Sequence, residues 1–128
     1  MREAGPGPGE AMIWVALGAI PGALLRWSLT NTLVANTLGC FVVGVSGLLA
    51  SPSPRRRLLL GIGFAGSLTT FSTWMLSLVD DLRRDQWGAL LFHVLRDGSL
   101  GVGALGLGAA LHRWLSRRGR GCPPPVKR

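Results

Sequence analysis

The chain has 128 residues, which suits a single domain, and 48% of them are hydrophobic, with a mean hydropathy of +0.36. Its two cysteines are too few for a disulfide framework, and no Cys/His spacing suggests a transition-metal site. The net charge of +8 lies in clusters without interleaved aromatic residues, which argues against nucleic-acid binding. These exclusions favour an integral membrane protein.

Four apolar segments are long enough to cross a bilayer, whose hydrocarbon core of about 30 Å needs about 20 helical residues. Three of them carry no charge, and the fourth is interrupted by His93, Arg96 and Asp97. We therefore predict an all-α integral membrane protein with four transmembrane helices. The segments are 11–25 (full length only if it extends to Trp27), 27–54, 58–79 and 87–111.

Composition also divides the chain into parts. We expect a flexible Pro/Gly-rich lead, a four-helix membrane domain and a basic cytoplasmic tail, at 1–10, 11–115 and 116–128. Helix two is expected at 32–50, before the stop signal SPSP, and the polar segment 80–85 is expected to be a loop.

Small residues predict close helix packing in two places. Gly18 and Gly22 are one turn apart in helix one, and Pro21 between them removes a backbone donor and is expected to bend the helix. Helix four carries a series of glycines with the same expected effect on packing, at Gly98, Gly101, Gly103, Gly106 and Gly108.

The basic residues predict the orientation in the membrane. The N-terminus, the loop 55–57 and the tail lie on one side and hold ten of the 14 lysines and arginines. The opposite side holds Arg26, Arg83 and Arg84. Because basic loops tend to stay in the cytoplasm, we expect both termini to be cytoplasmic, in a cell inner membrane or plasma membrane.

The third segment contains a cluster of glycines and hydroxyl side chains, GFAGSLTTFSTW at 63–74. One interpretation is that these residues only hold neighbouring helices together. The other is an interrupted helix at Gly66 and Thr69, whose carbonyl oxygens suit a hard cation and whose amide ends suit an anion. Phe71 and Trp74 would share one face beyond the break, where their positive ring edges attract a small anion. Adjoining hydroxyls favour a pore lining, at Thr70, Ser72 and Thr73.

The charges of helix four also allow two interpretations. His93 is spaced to meet Arg96 or Asp97 on one helical face. The group is either an anion-attracting vestibule or, as we favour, a structural feature: a salt bridge between subunits or a snorkelling arginine.

Three segments together closely resemble the signature of the Fluc/CrcB family of fluoride channels: 63–74, GAIPGALLRW at 18–27 and TLVANTLGCF at 32–41. The resemblance implies an antiparallel dimer of four-helix subunits, each with a broken third helix. It also implies a passive, fluoride-selective channel that exports cytoplasmic fluoride and so lowers its toxicity, and not an enzyme. The implied partners are fluoride, membrane lipid and a second subunit, with no nucleic acid.

The resemblance implies roles for individual residues as well. A structural, non-transported sodium ion is held by main-chain oxygens at Gly66 and Thr69. Arg26 matches the family's helix-one arginine, as a structural or vestibule residue. The implied fluoride pathway comprises Asn36, Thr70, Phe71, Thr73, Trp74 and Ser99.

The sequence departs from the family's pattern at three points. Trp74 replaces the usual second phenylalanine with a larger ring that carries an N–H donor. Ser67 stands where a second glycine is common. The segment between Arg26 and Asn36 is short, so helix one is expected to turn abruptly into helix two.

Two other functions stay open at the level of sequence. A small proton-coupled exporter normally has an acidic residue in its first helix, where we expect none; Asp97 is the only candidate for a titrating carboxylate in a pathway. A non-conducting or regulatory subunit of a heterodimeric channel agrees with the uneven basic residues, which predict insertion mainly one way. The chain would pair either with itself or with a homologous chain of opposite orientation.

Overall fold

The computed structural model describes residues 5–47 and 53–118, and within these ranges every regular element is a helix. The predicted all-α class is therefore confirmed. The third span is built from consecutive pieces and is interrupted once. The elements are α1 (Pro8–Ser28), α2 (Thr32–Val45), α3 (Pro54–Arg56), a π-helical segment (Arg57–Ala65), α4 (Gly66–Leu68), α5 (Phe71–Arg83) and α6 (Trp87–Arg118).

Helix α1 begins earlier than predicted. Its first residue is Pro8, a residue type that suits the first helical position, so part of the expected lead is helical. The expectation of a first helix without an acidic residue is wrong, because Glu10 lies in its first turn. Its Oε1 accepts hydrogen bonds from Arg55 Nε at 2.7 Å and from Trp14 Nε1 at 3.1 Å. Glu10 thus ties α1 to α3 at one end of the molecule.

The connection from α1 to α2 is abrupt, as predicted. Arg26 holds it by donating from Nη1 to the Leu29 carbonyl oxygen and from Nη2 to Thr32 Oγ1, both at 3.2 Å. Asn31 caps α2, since its Oδ1 accepts from the Leu33 amide at 2.9 Å. α2 therefore starts at the predicted residue, Thr32.

Other predicted boundaries are wrong. α2 ends at Val45 and not at residue 50; residues 48–52 lie outside the described ranges. The predicted loop 80–85 is mostly helical because α5 continues to Arg83, and the turn follows at Arg84 and Asp85, the latter with φ 54°. α6 is longer than predicted and reaches Arg118.

Glycines bring the helices into contact in two pairs. A Cβ atom at Gly18 would collide with the Leu59 carbonyl oxygen, so α1 packs directly on the π-helical segment, as predicted for a small-residue face. A Cβ atom at Gly108 would lie 2.5 Å from the Phe41 carbonyl oxygen, so α2 and α6 are equally close. Of the other four glycines in that prediction, three have open space beside them, so the prediction for α6 holds only in part: Gly98, Gly103 and Gly106.

The described residues bury little apolar surface of their own. The buried hydrophobic residues are Ala35, Ala65 and Leu68, at 0%, 3% and 0% exposure, whereas Trp27 is 90% exposed. Three helical stretches are long and apolar enough to cross a membrane: Pro8–Ser28, Pro54–Arg83 and Trp87–Arg118. Exposed apolar faces of this extent are covered by lipid or by another chain.

Candidate functional site

The third span is interrupted at two extended residues between α4 and α5. Thr69 has φ −84° and ψ 151°, and Thr70 has φ −141° and ψ 122°. Gly66 keeps helical angles, φ −65° and ψ −34°. The predicted break is thus present, and it lies at Thr69 and Thr70, with Gly66 one turn before it.

Asn36 of α2 satisfies the backbone of this break. Its Nδ2 donates to the Thr70 carbonyl oxygen at 3.1 Å, and its Oδ1 accepts from the Thr70 amide at 2.8 Å. The Thr70 amide therefore does not donate to the Gly66 carbonyl oxygen, its partner in a continuous α-helix. The Asn36 side chain therefore replaces the hydrogen bond that the Thr70 amide loses, and it adds a second donor to the Thr70 carbonyl oxygen, which as the N-cap of α5 accepts the first bond of that helix.

Thr69 is the C-cap of α4, at the end of the first part of the third span. Its amide and its Oγ1 both donate to the Ala65 carbonyl oxygen, at 3.0 and 2.9 Å. Its methyl group lies against Gly39 of α2, where a Cβ atom would collide with it. The absence of a side chain at Gly39 lets α2 approach closely enough for Asn36 to reach the break.

Aromatic and hydroxyl side chains follow the break on α5. The ring centroids of Phe71 and Trp74 are 5.6 Å apart with the planes tilted by 50°, so the predicted pair shares one face. Phe71 is 70% exposed, whereas Trp74 is half-buried. The Thr70 hydroxyl lies 3.3 Å from the hydroxyls of both Ser72 and Thr73. This group of donors is exposed.

Two adjoining cavities lie between α2, α5 and α6. We call the smaller one, of about 170 Å³, the inner cavity, and the larger one, of about 420 Å³, the outer cavity. They share Leu33, Trp74 and Asp97. The inner cavity is also lined by Asn36, Thr37, Cys40, Gly98 and Gly101. The outer cavity is also lined by Thr30, Asn31, Thr32, Ser77, His93 and Arg96.

The charged residues beside the outer cavity pair within the chain. His93 Nδ1 lies 2.6 Å from Asp81 Oδ2, and Arg96 Nε donates to Asp97 Oδ1 at 2.7 Å. The predicted contact of His93 with Arg96 or Asp97 is wrong, because His93 pairs with Asp81 instead. Asp81 was expected in a loop, but it lies in α5, which packs beside α6. The Arg96–Asp97 pair brings no net charge to the wall of the outer cavity.

The structure brings most of the predicted site residues together. Asn36, Thr70, Phe71, Thr73 and Trp74 surround the break. Ser99 is exposed on α6 and lines neither cavity, and Arg26 is at the α1–α2 turn.

Several lining residues were missed by the sequence analysis. On α2 the lining positions 33, 36, 37 and 40 follow helical spacing, a signal that the sequence contains. Cys40 is half-buried at this surface. The lining positions of α6 were not separable from its other small residues.

An all-helical protein with membrane-crossing helices, an interrupted span and cavities beside the interruption, the outer one mainly polar, belongs to the class of membrane transport proteins. The chain is a member of the CrcB family, since the model of this family, described as CrcB-like protein, Camphor Resistance (CrcB), matches residues 13–109. The family expected from the three sequence motifs is thereby confirmed.

Individual relatives cover most of the chain. Fluoride-specific ion channel FluC 2 of Synechococcus sp. (strain CC9605) is 48% identical over 110 residues, which cover 81% of this chain and 82% of the relative. Fluoride-specific ion channel FluC of Chromobacterium violaceum is 38% identical over 128 residues, with 84% and 98% covered. Fluoride-specific ion channel FluC 1 of Prochlorococcus marinus (strain NATL2A) is 36% identical over 94 residues, with 73% and 82% covered.

Proposed function

We propose that the chain is a subunit of a passive, fluoride-selective channel that exports cytoplasmic fluoride and lowers its toxicity. The relatives are named fluoride-specific ion channels. The observation that carries the proposal is the interrupted span, in which Asn36 holds the extended Thr70 backbone beside a set of hydroxyl and aromatic groups. Such an arrangement suits the passage of an ion and involves no chemical reaction, so the protein is not an enzyme in this proposal.

Fluoride would lose part of its water shell in this passage and gain protein donors instead. The hydroxyl groups of Thr70 and Thr73 supply donors, and the edges of the Phe71 and Trp74 rings supply positive potential. Both ends of the Asn36 amide are bonded to Thr70, so Asn36 positions the lining. Ser99 contributes in this proposal only where a second copy covers the exposed face of α6.

A structural sodium ion fits the residues at the break. Because the Thr70 amide is bonded to Asn36, the carbonyl oxygen of Gly66 lacks its α-helical donor, and Thr69 ends a helical segment. Hard cations bind such oxygens, and unwound backbone within a membrane supplies them. When bound, the ion neutralises the ends of the backbone dipoles. Two carbonyl oxygens are fewer than a hard cation requires, which supports a site shared between two chains.

Sodium is tested by stability, since substitutions do not remove main-chain ligands. We expect the purified chain to melt at a higher temperature in sodium than in N-methylglucamine salt of equal ionic strength, by an increment that saturates with sodium concentration. The same melting temperature in both salts would contradict the proposal. A potassium series is the control for a general cation effect.

The proposed assembly is an antiparallel dimer of four-span subunits in a cell membrane, with both termini cytoplasmic. α2 is the shortest span, and its 14 residues extend about 21 Å. The 70% exposure of Phe71 supports a second chain across this face. The basic residues support insertion mainly one way, and relatives numbered 1 and 2 both match, which favours a homologous chain as the partner.

The test is reconstitution of the purified chain in liposomes, with fluoride efflux followed by electrode. We expect Phe71→Ile to reduce efflux by at least about tenfold, since ring-edge potential is lost at the break. Trp27→Ile, at a 90% exposed position outside both cavities, is the matched control and should keep the full rate. Undiminished efflux through an assembled Phe71→Ile channel would overturn the proposed pathway.

A second candidate function is supported by the uneven basic residues. In that case the chain is a non-conducting or regulatory subunit of a heterodimeric channel. Liposomes containing the chain alone would then be silent, and efflux would require co-reconstitution with a homologous chain. A proton-coupled exporter differs from both, because its fluoride flux would follow an imposed proton gradient.

A further inference from the structure

The indole N–H of Trp74 has no hydrogen-bond partner among the described residues, although its nitrogen is buried. Trp14 provides a contrast within the same chain, because its Nε1 donates to Glu10 Oε1 at 3.1 Å. Buried donors are nearly always paired, since an unpaired one costs free energy. The exception at Trp74 therefore indicates an acceptor other than the described residues.

The position of Trp74 narrows the identity of this acceptor. Trp74 is one of three residues that line both the inner and the outer cavity, and the other two are Leu33 and Asp97. Leu33 has no polar side-chain atom, and the Asp97 carboxylate is an acceptor bonded to Arg96. Of these three shared side chains, only that of Trp74 therefore carries a donor, and its nitrogen is buried beside the cavities.

We propose that the Trp74 N–H donates a hydrogen bond to the fluoride ion as it passes between the two cavities. The proposal rests on the proposed fluoride channel and adds a specific donor to it. A small anion is a strong acceptor, and hydrogen bonds to charged groups are the stronger ones. A donor is needed at this point because the Asp97 carboxylate, which lines the same two cavities, repels an anion even though it is paired with Arg96.

The role differs from that of an aromatic ring edge, and one substitution separates the two. Trp74→Phe keeps an aromatic edge at the same position and removes the N–H group. If the ring edge alone acted on fluoride, this variant would conduct like the original chain. If the N–H is the donor, the variant binds fluoride more weakly.

The first measurement follows the indole N–H resonances of the uniformly ¹⁵N-labelled full chain in bicelles. The chain has five tryptophans, so five signals are expected, and Trp74→Phe identifies the relevant one. Should that variant fail to assemble, substitution of the other four in turn assigns it by elimination. We expect fluoride to move the Trp74 proton downfield in a saturable manner, with chloride at equal ionic strength without effect. The Trp14 signal is the internal control, since its N–H is already bonded.

The second measurement is fluoride efflux from liposomes. At limiting fluoride we expect Trp74→Phe to be about tenfold slower, the effect of one hydrogen bond to a charged group. At high fluoride the rates should converge, because the defect is in binding. Trp14→Phe is the matched control and should behave as the original chain does.

The outcomes separate this proposal from the proposed function. Efflux by the original chain with a Trp74 signal that ignores fluoride would overturn the donor role and leave the channel standing. That result is also the one expected if the N–H were bonded to water or to a group of a second subunit, because its signal would then not respond to fluoride. Absence of efflux with any partner chain would instead overturn the channel itself.

Discussion

Asn36 is the residue on which the interruption of the third span depends. Its amide supplies both the acceptor and the donor for the extended Thr70 backbone, at 2.8 and 3.1 Å. A helix in a membrane can be interrupted only if such groups are satisfied by protein or water. The polar side chain expected to line a pathway is thus first of all a support for the break.

This support makes Asn36→Ala a destabilising substitution. It leaves the amide of Thr70 unpaired, at a cost of about 1–3 kcal/mol if that group stays buried, and it removes one of the two donors to the Thr70 carbonyl oxygen. Thermal unfolding of the purified chain measures the loss.

Asn31→Ala is the matched control on the same helix. It removes a helix cap from a surface turn, which costs about 1 kcal/mol. An Asn36→Ala chain as stable as Asn31→Ala would contradict the supporting role of Asn36.

The sequence was enough to predict which residues belong to the site, but not which atoms they would bond to. The sequence indicated Asn36, Phe71 and Trp74 because their chemistry is unusual within apolar segments. The bond between Asn36 and Thr70 joins positions 34 apart, and only the packing of α2 on the break brings them together. The unpaired N–H of Trp74 is likewise a property of its surroundings.

At the scale of elements, the interruption itself was predictable and its place was not. Glycine and β-branched threonine disfavour a helix, which locates the break between Gly66 and Thr70 to within a turn. Two hydrogen bonds from Thr69 to Ala65 prolong the helix past Gly66, and Asn36 captures the next amide. The π-helical course of Arg57–Ala65 has no signature in the periodicity of the sequence.

The packing of α2 on α6 can be tested by a pair of glycines two residues apart. Gly108→Ala places a methyl group 2.5 Å from the Phe41 carbonyl oxygen, so we expect destabilisation by about 1–3 kcal/mol. Gly106→Ala meets no atom within 4 Å, and alanine is the better helix former by about 1 kcal/mol, so it should be neutral or stabilising. Thermal unfolding of both variants gives the comparison, and equal effects would refute this helix contact.

At the scale of the whole molecule, the described part of the chain does not form a hydrophobic core of its own. Its buried apolar residues are few, whereas aromatic side chains such as Trp27 and Phe71 are largely exposed. Lipid covers apolar faces without difficulty, but the exposed hydroxyl groups beside Phe71 need polar contacts. A second chain across the break meets both needs, which is the physical argument for the proposed dimer.

The charge distribution then determines which second chain is suitable. An antiparallel homodimer requires the chain to insert equally in both orientations. Ten of the 14 basic residues lie on one predicted side of the membrane, and three lie on the other. Because this bias favours a single orientation, we expect the antiparallel partner to be a homologous chain with the opposite bias.

Cysteine labelling tests this expectation in the cell membrane. In a Cys40→Ser chain the remaining native thiol is Cys122, which is near the C-terminus and outside the described residues. A second chain lacks both native cysteines and carries Gly5→Cys, whose thiol reports on the N-terminus. We expect a membrane-impermeant maleimide to label either thiol in inverted vesicles but not in intact cells. Equal labelling from both sides would contradict a single orientation. It would instead support an antiparallel homodimer, because the same chain would then be present in both orientations.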